Sequence, residues 1–273
     1  MSFPWTKVKT AFSFFFQSKS KYRIHSPFVY GLITSAIEGN EFEYKNLFEK
    51  TAQLKSEAFQ KNETFNYSIQ GAGSVIIDNK KVVSVRKLLT SAVSSINKLK
   101  FIYKVASYCK PSVIIEVGTS LGLSSFVLNN VINSKFVGFE PVKELADYTD
   151  KLLKQSGNNN WQLFKEPFEG NLVNLNFRNE IVFFYFDGNH TKEGLRSFMT
   201  EIEEIAKMNT IFCLIDDIRW SDEMFEEWKK VELNKSVSLS LDFFQMSFIS
   251  FEKKFQKEKF KIFNVKSIRY LLH

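Results

Sequence analysis

The sequence predicts an α/β protein: a mostly parallel sheet covered by helices on both faces, with an N-terminal helical extension. Three observations predict it. From Pro111 onward short, continuous apolar runs alternate with helical stretches, the pattern of parallel strands buried on both faces. Before Pro111 the periodicity is helical almost throughout. Near the C-terminus the period drops to two, as in an antiparallel pair.

The extension spans residues 1–108. Pro4 stands near one helix start, and Ser26-Pro27 opens another that runs to Gly39. Tyr67–Asn79 is a Gly-containing loop with a short apolar run, and Val85–Cys109 reads as one long helix stopped by Lys110-Pro111. Residues 109–273 form the main domain. Its strand-like runs are SVIIEV, KFVGFE, WQLF, EIVFFYFD and TIFCLIDD, beginning at Ser112, Lys135, Trp161, Glu180 and Thr210. Helical patterns occupy Leu121–Asn133, Val142–Gln155, Lys192–Met208 and Ser221–Leu233 between and after them. SVSLSLDFF and MSFISF, separated by Gln245, alternate and predict a hairpin at the sheet edge.

Composition narrows the function classes. No apolar run approaches the ~20 residues of a membrane span. The basic, aromatic N-terminus has no small-residue cleavage site after its apolar stretch, which argues against a secretory signal; a helix packed on the domain or lying on a membrane surface fits it. Cys109 and Cys213 are far apart and form no metal-ligand spacing, as expected of a reduced cytoplasmic protein. The net charge of +7 comes with lysine spread throughout and 30 phenylalanines, which is bias in composition and not a focused nucleic-acid surface.

Chemistry concentrates where open α/β sheets bind ligands, beyond the carboxyl ends of the strands. The first strand ends E-V-G-T-S-L-G, with Glu116, Gly118, Thr119, Ser120 and Gly122. A phosphate-binding loop would need a lysine after its last glycine, and a dinucleotide turn the spacing G-x-G-x-x-G. Neither is present. A carboxylate two residues before the first glycine would repel pyrophosphate and suit a ligand with an ammonium group or hydroxyls, such as S-adenosylmethionine. Twenty-four residues on, Glu140 ends the second strand, where an acid accepts hydrogen bonds from ribose hydroxyls; a surface Glu capping the next helix is the plainer alternative.

These stretches carry a resemblance. E-V-G-T-S-L-G-L-S-S followed by V-G-F-E-P resembles the first two motifs of class I S-adenosylmethionine-dependent methyltransferases. Y-F-D-G-N-H and L-I-D-D-I-R-W resemble their small-molecule O-methyltransferase branch, and R-I-H-S-P-F-V-Y with G-A-G-S resembles a bacterial group within it. The resemblance implies a Rossmann-like, seven-stranded sheet with an antiparallel last strand. It implies S-adenosylmethionine held by Glu116, Gly118, Thr119, Ser120, Gly122, Glu140, Pro141 and Asp187, with Phe168 stacked on adenine after the third strand. Catechol-type members hold a divalent ion such as Mg²⁺ on an Asp after the fourth strand and an Asp-Asn pair after the fifth. Asp187, Asp216 and Asp217 stand at those places, the last being a departure. The same enzymes carry a basic residue three positions after the first Asp, where His190 stands as the candidate general base.

The reading is therefore O-methylation of a small molecule, with His190 or a divalent ion activating the acceptor. Two rivals stay open: a nicotinamide-dependent oxidoreductase, and a non-catalytic binding protein on the same scaffold. His25, Lys192, Arg219 and Trp220 are lesser site candidates. A homodimer is compatible with the sequence, which does not set the oligomeric state.

Overall fold

The computed structural model describes residues 14–19, 21–35, 39, 42–66, 82–91, 93–255 and 257–262. The expected loop Tyr67–Asn79, the Gly71–Ser74 stretch and the helix start near Pro4 lie outside them. An eight-stranded sheet organises the chain. Its strands are β3 (Val113–Val117), β4 (Lys135–Phe139), β5 (Trp161–Phe164), β6 (Ile181–Phe186), β7 (Thr210–Ile215), β8 (Leu239–Asp242), β9 (Ser247–Ser250) and β10 (Glu258–Lys261). The spatial order is β10-β8-β9-β7-β6-β3-β4-β5, and β9 alone runs antiparallel to the rest. Two short strands, β1 (Thr64–Asn66) and β2 (Val82–Ser84), pair separately.

The sheet has one strand more than the seven expected. β10 pairs in parallel with β8, so the β8–β9 hairpin sits one strand in from the edge. This explains why all positions of β8 and β9 are buried despite their alternating sequence. Half of the polar side chains are satisfied internally: Ser250 Oγ donates to the Ile211 carbonyl at 3.1 Å, and Asp242 pairs with Arg219, whereas the buried Ser240 and Ser247 hydroxyls have no partner among the described residues.

Helices α1 (Pro27–Ile33), α2 (Lys45–Lys61), α3 (Val85–Ser91), α4 (Ile96–Cys109), α5 (Leu123–Leu128) and α6 (Lys143–Leu153) cover one face of the sheet; α7 (Lys192–Ile205) and α8 (Asp222–Leu233) cover the other. Alternation along each strand divides the core between them. Phe183 and Tyr185 of β6 join the first cluster, whereas Val182, Phe184 and Phe186 join the second. Val29, Leu32, Phe48 and Leu54 of the extension are buried in the same cluster as Ile114, Phe136 and Phe212 of the sheet.

The predicted helix Val85–Cys109 is two helices. Ser95 breaks it: its hydroxyl accepts the Lys98 amide at 3.2 Å and caps α4. The chain before it, Val93–Ser95, runs across the carboxyl end of the sheet. Both cysteines are free and buried, and burial raises their thiol pKa values. Among the described residues no helix is long and apolar enough to cross a membrane.

Candidate active site

The chain leaves β3 for β4 and β5 on one side, then returns to β6 on the other. The strand order reverses between β3 and β6, which opens a crevice beyond their carboxyl ends. There the backbones of Gly118 and Asp187 pass so closely that a Cβ on Gly118 (φ +88°) would lie 2.6 Å from the Asp187 carbonyl oxygen. Gly122 (φ +74°) is equally confined, against Thr149.

Four amides of this turn are engaged internally. Those of Gly118 and Thr119 donate to the Phe139 carbonyl, that of Gly122 to the Thr119 carbonyl, and that of Ser120 to Glu140 Oε2 at 2.8 Å. Glu140 is buried beneath the turn and its Oε1 accepts the Val142 amide at 3.0 Å. Pro141 is exposed. Glu116 is fully buried and accepts the Ser125 hydroxyl through Oε2, while its Oε1 has no partner among the described residues. The buried Thr119 hydroxyl is likewise unpartnered. Burial, outweighing the Ser124 and Ser125 hydrogen bonds and reinforced by Glu140, pushes the Glu116 pKa up to about 8.

Next to the turn lies a cleft lined by Val93, Ser94, Leu99, residues 118–124 and Asp187, with about 10 Å³ of free volume, room for about one water. Glu116 and Glu140 stand behind the turn and do not line the cleft.

The ends of β6 and β7 carry the second group of acids. Asp216 is fully buried. Its Oδ2 lies 2.6 Å from Lys98 Nζ and accepts the Tyr185 hydroxyl at 2.7 Å; its Oδ1 accepts the Asp217 amide at 2.8 Å. Burial alone would raise the Asp216 pKa, but Lys98 and these bonds hold it below the ordinary value. Burial likewise works to discharge Lys98, and Asp216, Asp187 and Asp217 outweigh it, so the ammonium is held above its usual pKa. Tyr185 Oη is also 3.0 Å from Asp187 Oδ2. A phenol has one proton to give, so with Asp216 accepting it, the second contact is satisfied when Asp187 carries a proton. That agrees with its pKa, raised well above normal by burial and by Asp216. Asp217 is raised for the same reasons.

His190 Nε2 is 3.6 Å from Asp187 Oδ1, and the ring centroid lies 5.8 Å from that of Trp220. Its Nδ1 is buried without a partner among the described residues. Burial lowers its pKa against the opposing pull of Asp217 and Asp216, so the imidazole is neutral at neutral pH.

Several expected residues stand elsewhere. Phe168 is 4% exposed and packs edge-on against Phe186 and Phe198 beneath the sheet; it cannot stack on a ligand. Phe186 of β6 and Phe198 of α7 take up its ring. Arg219 does not line a pocket: it forks onto Asp242 and packs over Phe225 and Phe244. Lys192 pairs with Glu193 and Glu223 at the surface, and His25 is exposed. Ser221 caps α8 by accepting the Met224 amide.

The expected metal trio Asp187, Asp216 and Asp217 does not fit a divalent ion. The Asp216 carboxylate is used by Lys98, Tyr185 and the Asp217 amide, and an ammonium already sits among the acids. A different trio, Asp187, His190 and Asp217, brings donor atoms within 4.8 Å of one another, inside the field of the same ammonium. Lys98 is the site residue that sequence reasoning missed. The Ser94-Ser95 break before it was the available signal.

A sheet in this order, with one reversed strand and a glycine turn at the switch point, has the Rossmann-like fold of class I S-adenosylmethionine-dependent methyltransferases. No family model and no curated protein sequence matches the chain. Solved structures do share its fold. A methyltransferase from Podospora anserina with S-adenosylhomocysteine bound is 16% identical, with 59% of this chain and 81% of that one covered at a TM-score of 0.51. An O-methyltransferase from Bacillus cereus in complex with S-adenosylhomocysteine is 13% identical, with 74% and 90% covered at 0.51. The cofactor-bound protein Rv0187 from MTB is 14% identical, with 84% and 98% covered at 0.51.

Proposed function

We propose that this protein is an S-adenosylmethionine-dependent methyltransferase acting on an oxygen of a small molecule. One observation carries the reading: the first turn is backed by a buried acceptor without a partner among the described residues, Glu116 Oε1. The Gly118, Thr119, Ser120 and Gly122 amides are engaged within the chain, and the acids Glu116 and Glu140 buried behind the turn disfavour the pyrophosphate of a nicotinamide dinucleotide. Glu116 Oε1 and the Thr119 hydroxyl, both buried and unpartnered, suit a ligand that brings an ammonium group and hydroxyls. The Podospora anserina and Bacillus cereus structures of this fold hold S-adenosylhomocysteine, which agrees with that ligand.

S-adenosylmethionine, when bound, supplies a methyl group activated by its positive sulfur. The chain's own task is binding, alignment and one proton transfer. Glu116 accepts from the ammonium and is ionised by it. Glu140, fixed by two amides, is set to take hydroxyl donors. His190, neutral and close to Asp187, takes the proton of the acceptor hydroxyl as the oxygen bonds to the methyl carbon. The bound cofactor would supply the methyl carbon and keep the carbon–sulfur electron pair on sulfur, and the His190 imidazolium would return its proton to water. The linker Val93–Ser95 and α4, which border the cleft, face the acceptor and set its shape.

The test is a panel of phenols, catechols and hydroxy acids incubated with S-adenosylmethionine, read as S-adenosylhomocysteine release. A productive acceptor should lose about a hundredfold or more in rate with His190→Gln. Equal rates in both proteins would remove His190 from the reaction.

A further inference from the structure

Lys98 is the third residue of α4, placed by the Ser95 cap. Its side chain, 13% exposed, crosses from the N-terminal layer to the strand ends of β6 and β7 and puts Nζ 2.6 Å from a fully buried carboxylate. Asp187 and Asp217 face the same crevice and add to its pull when they ionise. A lysine buried among acids is held there by charge, and removing it leaves the acids without compensation. Among the described residues Asp216 is its one hydrogen-bond partner, so two of its three N–H protons are left to give.

We propose that the Lys98 ammonium is the built-in cation of this acidic crevice, so that the site neither needs nor binds a divalent ion and presents N–H donors to the acceptor oxygen instead. The proposal rests on the methyltransferase reading for its acceptor, but its charge logic stands without it. Fixed on Asp216, the ammonium is preorganised: it costs nothing to bring in and stabilises negative charge as it develops on oxygen. Unlike an ion chelated by a vicinal pair, one ammonium does not require two adjacent oxygens. A single hydroxyl next to an apolar or aromatic body suffices as the acceptor.

The experiment titrates Mn²⁺ into the full-length protein and follows free Mn²⁺ by electron paramagnetic resonance, with S-adenosylhomocysteine calorimetry alongside. Wild type and Lys98→Arg should bind Mn²⁺ with Kd weaker than about 1 mM, since both keep a cation on Asp216. Lys98→Met should gain at least about tenfold in Mn²⁺ affinity, because the uncompensated carboxylates then offer a hard oxygen site. Adding Asp216→Asn to Lys98→Met should remove the gain. Wild-type binding at or below 1 mM, or no gain in Lys98→Met, overturns the proposal. If Lys98→Met does not fold, the wild-type and Lys98→Arg titrations decide. Failure of the wild type to bind S-adenosylhomocysteine would defeat the methyltransferase reading and leave the Mn²⁺ result standing on its own.

Discussion

Two neighbouring regions of this molecule bury carboxylates and treat them in opposite ways. At the first turn, Glu116 and Glu140 are buried with amides and hydroxyls around them and no cation in contact. At the ends of β6 and β7, Asp216 is buried against an ammonium. An acid without a counter-ion has its pKa raised by burial, as at Glu116 and Glu140. An acid with a resident counter-ion is already satisfied, and its energy goes into holding the fold and shaping the field. The difference leaves one pair of acids without a counter-ion and supplies the other group with one.

The sharpest way to break this contrast is to neutralise one acid on each side. Asp216→Asn strands a buried ammonium and should cost about 3–5 kcal/mol in urea denaturation. A loss below about 1 kcal/mol would mean that the pair carries no such burden. Gly118→Ala comes next, because the added Cβ meets the Asp187 backbone at 2.6 Å in a conformation side chains avoid; about 3 kcal/mol should be lost, together with S-adenosylhomocysteine binding.

Glu116→Gln should behave oppositely to Asp216→Asn. The native Glu116 carboxyl titrates near pH 8, against about 4.5 when unfolded. Between those values the unfolded chain has released a proton that the folded one keeps, so this group makes the protein less stable as pH rises from 4.5 to 8. Glu116→Gln should lack that slope and melt a few degrees above wild type at pH 8.5, with little difference at pH 4.5; parallel melting curves across this range would contradict it. A pair with one partner in solvent gives the scale. Glu227, held down to about 2 by Arg196 and Lys230, contributes stability that is present above pH 4.5 and fades as pH falls toward 2. Arg196 is mostly exposed, so Glu227→Gln should cost only about 0.2–1 kcal/mol at pH 7.

The same contrast explains what the sequence made legible. Strands that are apolar on both faces announce themselves: WQLF is β5 to the residue, and the alternating C-terminal runs are β8 and β9. The first turn is legible because glycine spacing and a preceding acid are local features. The second region is not, because its meaning lies in a contact between Lys98 and Asp216, far apart in the chain. In a lysine-rich helix Lys98 looks like any solvated lysine until the Ser95 cap turns α4 toward the strand ends. Phe168 was misplaced for a related reason: Pro167 and its charged neighbours suggest an exposed turn, while the pocket that takes the ring is built by Phe186 and Phe198. Tyr185, read as one more apolar strand residue, is the proton donor that joins Asp187 to Asp216.

The account stands on the first turn being an acceptor-lined seat for a sulfonium nucleoside, and calorimetry at pH 8 tests that most directly. S-adenosylhomocysteine and NADH would each be titrated into wild type and Glu116→Gln. The expected result is S-adenosylhomocysteine binding to wild type, weakened about tenfold or more by the substitution, with no heat from NADH. Binding of NADH in place of S-adenosylhomocysteine, or equal S-adenosylhomocysteine affinity in both proteins, would contradict it.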